Sequence, residues 1–141
     1  TETAGLTVAA EGQNVTVDTG NLVITEALKG IVHTGKQTVT QATNHSTDVT
    51  ANATSGVITL AGVALAAGAE ADFQVTNSTV SATSVILLTV QSPAAASATD
   101  NATLIAQLDT VGSGSFNIRL SNPGAATTST NAHKIHFLVI N

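Results

Sequence analysis

The sequence predicts an all-β protein: an antiparallel β-sandwich or jelly-roll-like domain with an extended, β-rich N-terminal segment. Short apolar stretches recur at intervals of roughly ten residues and are bounded by Gly, Asn and Ser, as in strands joined by turns. Thr, a β-branched residue that favours strands, occurs 24 times among the 141 residues. No stretch shows the apolar period of an amphipathic helix.

Residues 1–55 are predicted to form an N-terminal arm or an accessory β segment. The apolar stretches 14–17 and 22–25 flank a turn of Asp, Thr and Gly, which is typical of a hairpin. A further strand is predicted over residues 38–43, and residues 44–55 are polar and rich in Asn and Thr. This part of the chain is therefore expected to be less compact than the rest.

Residues 56–141 are predicted to form the compact β-sandwich. Alternating or continuous apolar stretches indicate strands here, and they cover residues 56–60, 72–76, 84–91, 102–109, 115–120 and 134–141. Residues 61–69 are small and apolar but are bracketed by Gly62 and Gly68, so a loop is expected there. With the N-terminal segment, the prediction is about ten strands in all.

Two of these stretches are apolar at successive positions, so both of their faces would be apolar. Residues 84–91 are predicted to form a central strand buried from two sides, and the end of residues 134–141 has the same character. Such strands need a layer on each face or a contact with another subunit. Both alternatives fit the sequence.

The kind of apolar residue indicates an oligomer. Hydrophobic residues make up 43% of the chain, but there are only 3 Phe and no Trp, Tyr, Met or Cys. Aromatic rings, which bury roughly 150–250 Å² each, usually dominate the core of a domain. A chain with so few rings gains much of its burial between subunits, so self-association is expected.

The charge balance disfavours two classes of partner. Only 9% of residues are charged, with 4 Lys and Arg against 9 Asp and Glu, for a net charge of −5. Nucleic-acid binding and binding to an anionic membrane surface both need clustered Lys and Arg. No apolar run approaches the roughly 20 residues of a membrane-spanning helix.

No catalytic, cofactor-binding or metal-binding residue is predicted. A metal site needs three or four converging ligands, and His133 and His136 would lie on opposite faces of a strand. With His33 and His45 they are expected to be surface or interface residues, the alternative being one His from each subunit on a threefold axis. Glu70 and Asp72 are the carboxylates placed to flank a glycosidic bond, but no aromatic platform for a sugar accompanies them.

Several stretches resemble a domain of tailed-bacteriophage structural proteins. They are residues 55–60, 66–80 and 82–88, which include the pattern Phe-x-Val-x-Asn-Ser-x-Val at 73–80, and residues 112–122 and 134–140. Residues 30–33 and 39–43 are similar to the lead-in of such proteins. The resemblance covers roughly two-thirds of the chain and implies a virion protein exposed on the particle, typically trimeric. It brings no catalytic residues with it.

The function expected from these observations is non-enzymatic. A homotrimer would decorate the capsid as a cement or head-fibre protein and stabilise the particle, with the major capsid protein or another virion protein as partner. Its location would be the surface of the extracellular virion, with no nucleic acid, membrane or cofactor involved. The alternatives are a receptor-binding tip domain of a phage tail fibre, recognising through loops 94–99 and 125–132, and a secreted filament subunit whose N-terminal strand completes a neighbour's sheet.

Overall fold

The structure, a computed structural model, describes residues 31, 33, 35–93, 104–128 and 130–141. All of them except residue 31 belong to a compact unit that spans His33–Asn141, and the described residues contain strands but no helix. Eight strands are formed in chain order: β1 Gln37–Thr40, β2 Val49–Thr50, β3 Ser55–Thr59, β4 Glu70–Thr76, β5 Val85–Gln91, β6 Ile105–Gly112, β7 Ser115–Ser121 and β8 Lys134–Ile140.

The strands form two four-stranded sheets, which confirms the predicted all-β sandwich. Sheet A has the order β1-β3-β8-β5, and sheet B has the order β2-β4-β7-β6. Neighbouring strands are antiparallel except for two pairs, β1 with β3 and β2 with β4, which are parallel. β1 and β2 follow each other in the chain but belong to different sheets, so residues 41–48 cross from one sheet to the other.

The core lies between the sheets and is built by strict alternation along each strand. In β7, Phe116, Ile118 and Leu120 are buried, as predicted, while the residues between them are partly exposed. The rings of Phe116 in sheet B and Phe137 in sheet A are 5.9 Å apart between centroids and inclined by 57°. Tilted rings at this separation attract each other beyond the area that they bury, so this contact joins the two sheets.

Phe137 fits the core because the residue paired with it has no side chain. Gly56 in β3 is the Cα partner of Phe137 in β8. A Cβ atom at Gly56 would lie 2.5 Å from the carbonyl oxygen of Gln37 and 2.6 Å from the Phe137 ring. Neither neighbour is free to move, since one is backbone of β1 and the other is packed in the core. Glycine is therefore required here for packing.

Buried polar side chains tie the loops at one end of the sandwich together. The Asn122 side-chain amide donates to the carbonyl oxygens of Leu65 (2.9 Å) and Ala126 (2.8 Å), and its Oδ1 accepts from the Gly124 N–H (3.0 Å). The Thr128 hydroxyl accepts from the Leu65 N–H at 2.8 Å. The predicted loop over residues 61–69 is thus confirmed, and it is bonded to the loop between β7 and β8.

The sandwich includes strands that precede its predicted start at residue 56. β1 and β2 pair within the two sheets, and the compact unit begins at His33. The polar composition of residues 44–55 gave no indication of a strand there, since β2 is only two residues long and exposes Thr50. The predicted hairpin over residues 14–25 and the arm or accessory segment before residue 31 lie outside the described residues.

We expect Gly56→Ala to lower the free energy of unfolding by about 1–3 kcal/mol, the usual cost of forcing extra atoms into a packed core. Chemical denaturation followed by circular dichroism measures this. The control is Gly35→Ala, since a Cβ atom at Gly35 meets nothing within 4 Å. Equal stability of the two variants would contradict the proposed crowding of Phe137.

Candidate interaction surface

The outer face of sheet B is polar and solvated. Arg119, on β7, lies between two carboxylates: its Nε is 2.9 Å from Asp72 Oδ1 and its Nη2 is 3.3 Å from Asp109 Oδ1. Gln74 and Asn117 continue the same face. These charged groups are well exposed, so water screens them and each pair contributes little to stability. This face has the composition expected of a surface in contact with water.

The outer face of sheet A is apolar at one end. Val85 is 55% exposed, Leu87 52% and Ile140 48%, and Leu138 beside them is partly exposed. Val85 is the Cα partner of Ile140, and Leu87 is the Cα partner of Leu138. The four side chains are thus direct neighbours on two paired strands. We call Val85, Leu87, Leu138 and Ile140 the apolar patch.

The other end of the same face is polar. Continuing along β5 and β8, the outward residues are Thr89 and Gln91, paired with His136 and Lys134. His136 Nε2 is 2.8 Å from Gln91 Oε1. The apolar patch is therefore a bounded feature at one end of the sheet rather than a property of the whole face.

Polar groups also border the patch beyond the ends of β5 and β8. The Ser84 hydroxyl donates to Asn141 Oδ1, and the Asn141 amide donates to the carbonyl oxygen of Thr79 at 3.1 Å. Ser55, the Cα partner of Leu138, buries its hydroxyl with no hydrogen-bond partner among the described residues. An apolar centre with a polar rim is the usual composition of a protein–protein interface.

The predicted position of β5 is wrong. Residues 84–91 were expected to form a central strand buried from both sides, but Val85 and Leu87 are exposed, and among the described strands β5 pairs only with β8, at the end of sheet A. No further layer among the described residues covers this apolar outer face. The polar residues Thr89 and Gln91, at alternate positions of the strand, were the feature of the sequence that argued against burial on both sides.

The residues considered for metal binding or catalysis do not form a site. His136 lies on the outer face of sheet A, whereas His45 and His133 are buried. Across the ranges that the structure describes, no group of three or more His, Cys, Asp or Glu side chains is placed to hold a metal ion. Asp72 pairs with Arg119 on the outer face of sheet B.

His45 and His133 are buried in the loops at one end of the sandwich. They are 6% and 5% exposed. Burial lowers the pKa of His45, and a hydrogen bond to the backbone of Ala61 offsets part of this effect. Burial also lowers the pKa of His133, the proximity of His45 lowers it further, and a hydrogen bond to the backbone of Asn131 acts in the opposite direction. Burial thus disfavours the charged form of both imidazoles in the folded protein.

The loops around the two histidines are bonded through Gln41. Its Nε2 donates to the carbonyl oxygens of His45 (3.2 Å) and Thr47 (2.9 Å), and its Oε1 accepts from the Ala61 N–H at 3.3 Å. The Leu60 N–H in turn donates to the carbonyl oxygen of His133 at 2.9 Å. Protonation of either imidazole therefore places a positive charge among loops that these hydrogen bonds hold together.

We expect the free energy of unfolding to fall as the pH drops below about 6.5, the pKa of histidine in an unfolded chain. Below that value the unfolded chain binds protons that the folded protein binds only at lower pH, so acid favours unfolding. Each histidine contributes a slope of at most about 1.4 kcal/mol per pH unit. Denaturation between pH 7.5 and 5 measures the slope.

The variants for this prediction are His133→Gln and, as the control, Gly35→Ala, which removes no titratable group. We expect His133→Gln to lower the slope, since it removes one of the two buried groups, and Gly35→Ala to keep the slope of the unsubstituted protein. Identical slopes for the unsubstituted protein and His133→Gln would contradict the role of the buried pair.

Two further observations bear on the class of protein. The described residues include no helix of the length and apolarity needed to cross a membrane. Comparisons of the chain with protein-family models, with curated proteins and with solved structures gave no match. The proposal for function therefore depends on the geometry of the apolar patch and on the sequence.

Proposed function

We propose that this chain is a non-enzymatic structural protein of a phage virion, which forms a homotrimer through the apolar patch and decorates the capsid. The observation that carries the proposal is the exposure of Val85, Leu87 and Ile140 on one paired strand surface. Contiguous exposed apolar patches with polar rims mark interaction sites in soluble proteins. The resemblance of residues 55–60, 66–80, 82–88, 112–122 and 134–140 to phage structural proteins supports the virion context.

Copies of the same chain are the occupant that the surface suits best. The patch contains no charged side chain, whereas the chain as a whole has a net charge of −5, so repulsion between copies is weakest at this face. The nearest charged residue on the outer face of β8, Lys134, is at the opposite end of the strand. The scarcity of aromatic rings in the chain supports the same conclusion, because burial between copies adds to a core of limited bulk.

A closed trimer places the three patches around one axis. Each copy then buries the same surface, and the polar rim formed by Ser84, Asn141 and His136 surrounds the apolar centre. A standard interface buries about 800 Å² per partner, so the patch would form the centre of the contact and flanking polar residues the remainder. Closed symmetry leaves no patch exposed and suits a threefold position of a capsid.

Decoration stabilises a particle through mass action. A protein that binds only the assembled shell shifts the equilibrium toward that shell by its own free energy of binding. With the patches buried in the trimer, contact with the shell would use other surfaces of each copy. No step of this mechanism requires a catalytic group.

We expect the isolated protein to have the mass of a trimer by multi-angle light scattering, and Leu87→Asp to dissociate it. A carboxylate in the centre of the contact would be desolvated without a partner, which should raise the trimer dissociation constant at least about 100-fold. The matched control is Gln74→Asp on the outer face of sheet B, which should remain trimeric. A monomeric unsubstituted protein would contradict the proposal.

The place of the protein on the particle is tested with the same pair of variants. Virions that carry Leu87→Asp should lose infectivity on heating sooner than virions that carry Gln74→Asp, with unchanged adsorption to host cells. Lost adsorption with unchanged heat resistance would instead indicate the receptor-binding tip of a fibre.

A further inference from the structure

One end of the sandwich, next to the apolar patch, is held by uncharged side chains. The Asn77 amide donates to the carbonyl oxygen of Ala53 at 2.8 Å, and its Oδ1 accepts from the Thr79 N–H at 2.9 Å. The Asn141 amide donates to the carbonyl oxygen of Thr79 at 3.1 Å. The segments at this end contain no ionisable side chain, and they are residues 51–54, 77–84 and 112–115. A change of pH therefore alters no side-chain charge in them.

The opposite end, which we call the histidine end, contains the buried imidazoles of His45 and His133. Three segments meet there: residues 41–48, the loop between β3 and β4, and the loop between β7 and β8. The Ala61 N–H donates to Gln41 Oε1 at 3.3 Å, and the Leu60 N–H donates to the carbonyl oxygen of His133 at 2.9 Å. The loop between β3 and β4 thus bonds to both of the segments that carry a histidine.

The other described ionisable groups on these segments and on the strand ends beside them are exposed. They are Asp48, Glu70 and Lys134. Asp48 Oδ1 accepts from the Gln74 N–H at 2.7 Å, and Lys134 lies on the outer face of sheet A. His45 is close enough to His133 to disfavour the charged form of that imidazole. Two protonated imidazoles here would repel each other and lose their hydration, so both effects oppose the closed arrangement in acid.

We infer that the histidine end is an acid-operated switch: protonation of His45 and His133 separates its three segments from the core, while both sheets and the end beside the apolar patch stay folded. The sheets have continuous ladders, and β4–β7 and β5–β8 each pair over seven positions. The histidine end depends instead on bonds from single side chains, chiefly those of Gln41 and Asn122. Segments held in this way open at a lower free-energy cost than the whole domain. The inference does not depend on the proposed trimer.

Opening would uncover apolar surface that is closed at neutral pH. Leu60 is 1% exposed and Leu65 is 7% exposed, and both belong to the core at the histidine end. The apolar patch lies at the other end of β5 and β8, so a contact made there would persist while this surface appears. Histidine suits such a switch because its charge changes between about pH 5 and 8. A copy that passes into acidic surroundings would thus gain an apolar surface at the histidine end.

The experiment uses thiol labelling, for which the chain is suited because it contains no Cys. Ala61→Cys places a thiol in the histidine end, and Ala53→Cys places the matched control at the other end, since both alanines are 6% exposed. Each variant is labelled with a dithiodipyridine reagent between pH 7.5 and 5. The rate is divided by the rate of the same variant unfolded in urea at the same pH, which corrects for ionisation of the thiol.

We expect the corrected rate of Ala61→Cys to rise at least about 10-fold between pH 7.5 and 5, since each buried histidine contributes up to about 10-fold per pH unit. At pH 5 it should exceed the corrected rate of Ala53→Cys at least about 10-fold, because local opening exposes only the first site. Adding His45→Gln and His133→Gln to Ala61→Cys should remove the rise. In the unsubstituted protein, NMR should show both imidazoles titrating below pH 6.5.

Four results would overturn the inference. Equal corrected rates at the two sites at pH 5 would mean that acid unfolds the whole protein and that no switch exists. A rate of Ala61→Cys that does not change with pH would exclude the opening, and a rise that persists without the two histidines would assign it to other groups. Titration of both imidazoles at or above pH 6.5 would remove the driving force.

Discussion

The packing of Phe137 against Gly56 on one side and Phe116 on the other is the constraint on which the sandwich depends. All three Phe of the chain are buried in this core, and the rest of it is aliphatic. With so few large side chains available, each ring must occupy a defined place. The Phe116–Phe137 contact joins the two sheets, and the absence of a side chain at Gly56 is what gives the second ring its space.

The same strand register that fills the core determines what the outside of sheet A presents. Because side chains alternate along β8, burying Ile135, Phe137 and Val139 obliges Leu138 and Ile140 to point outward. β5 adds Val85 and Leu87 beside them. Nothing in the core requires these outward positions to be apolar, and their counterparts on sheet B are charged or polar except for Ile105 at one end of β6. The asymmetry between the two faces is the reason to regard one of them as an interface.

Much of the fold was predictable because its strands show local signals. β4 and β7 alternate cleanly, the turn at Gly112 and Gly114 is marked by its residues, and Gly114 has a φ of 81°, in the left-handed region that glycine tolerates. β1 overlaps the strand predicted over residues 38–43, but β2 was missed because its two residues carry no periodic signal. The partners of both strands were not predictable, since their pairing is parallel and non-local.

The candidate surface was predictable only in part. Apolar residues on both faces of β5 and β8 predicted that a partner was needed, but not whether it was another layer or another subunit. The position of β5 in sheet A was not predictable either, since strand order depends on long-range pairing that composition does not encode. The outward positions of β5 are apolar at Val85 and Leu87 but polar at Thr89 and Gln91. This polar half distinguishes β5 from a strand that is buried on both faces.

The parallel pairing of β1 with β3 has a mechanical consequence. β1 is the first described strand of sheet A, and its four residues are bonded in register to a strand that runs in the same direction and is itself held by β8. A pull on β1 from its N-terminal end, directed along the strand, loads these bonds in shear, so that they share the force and must break together. The bonds between β1 and β3 thus resist such tension jointly rather than one after another.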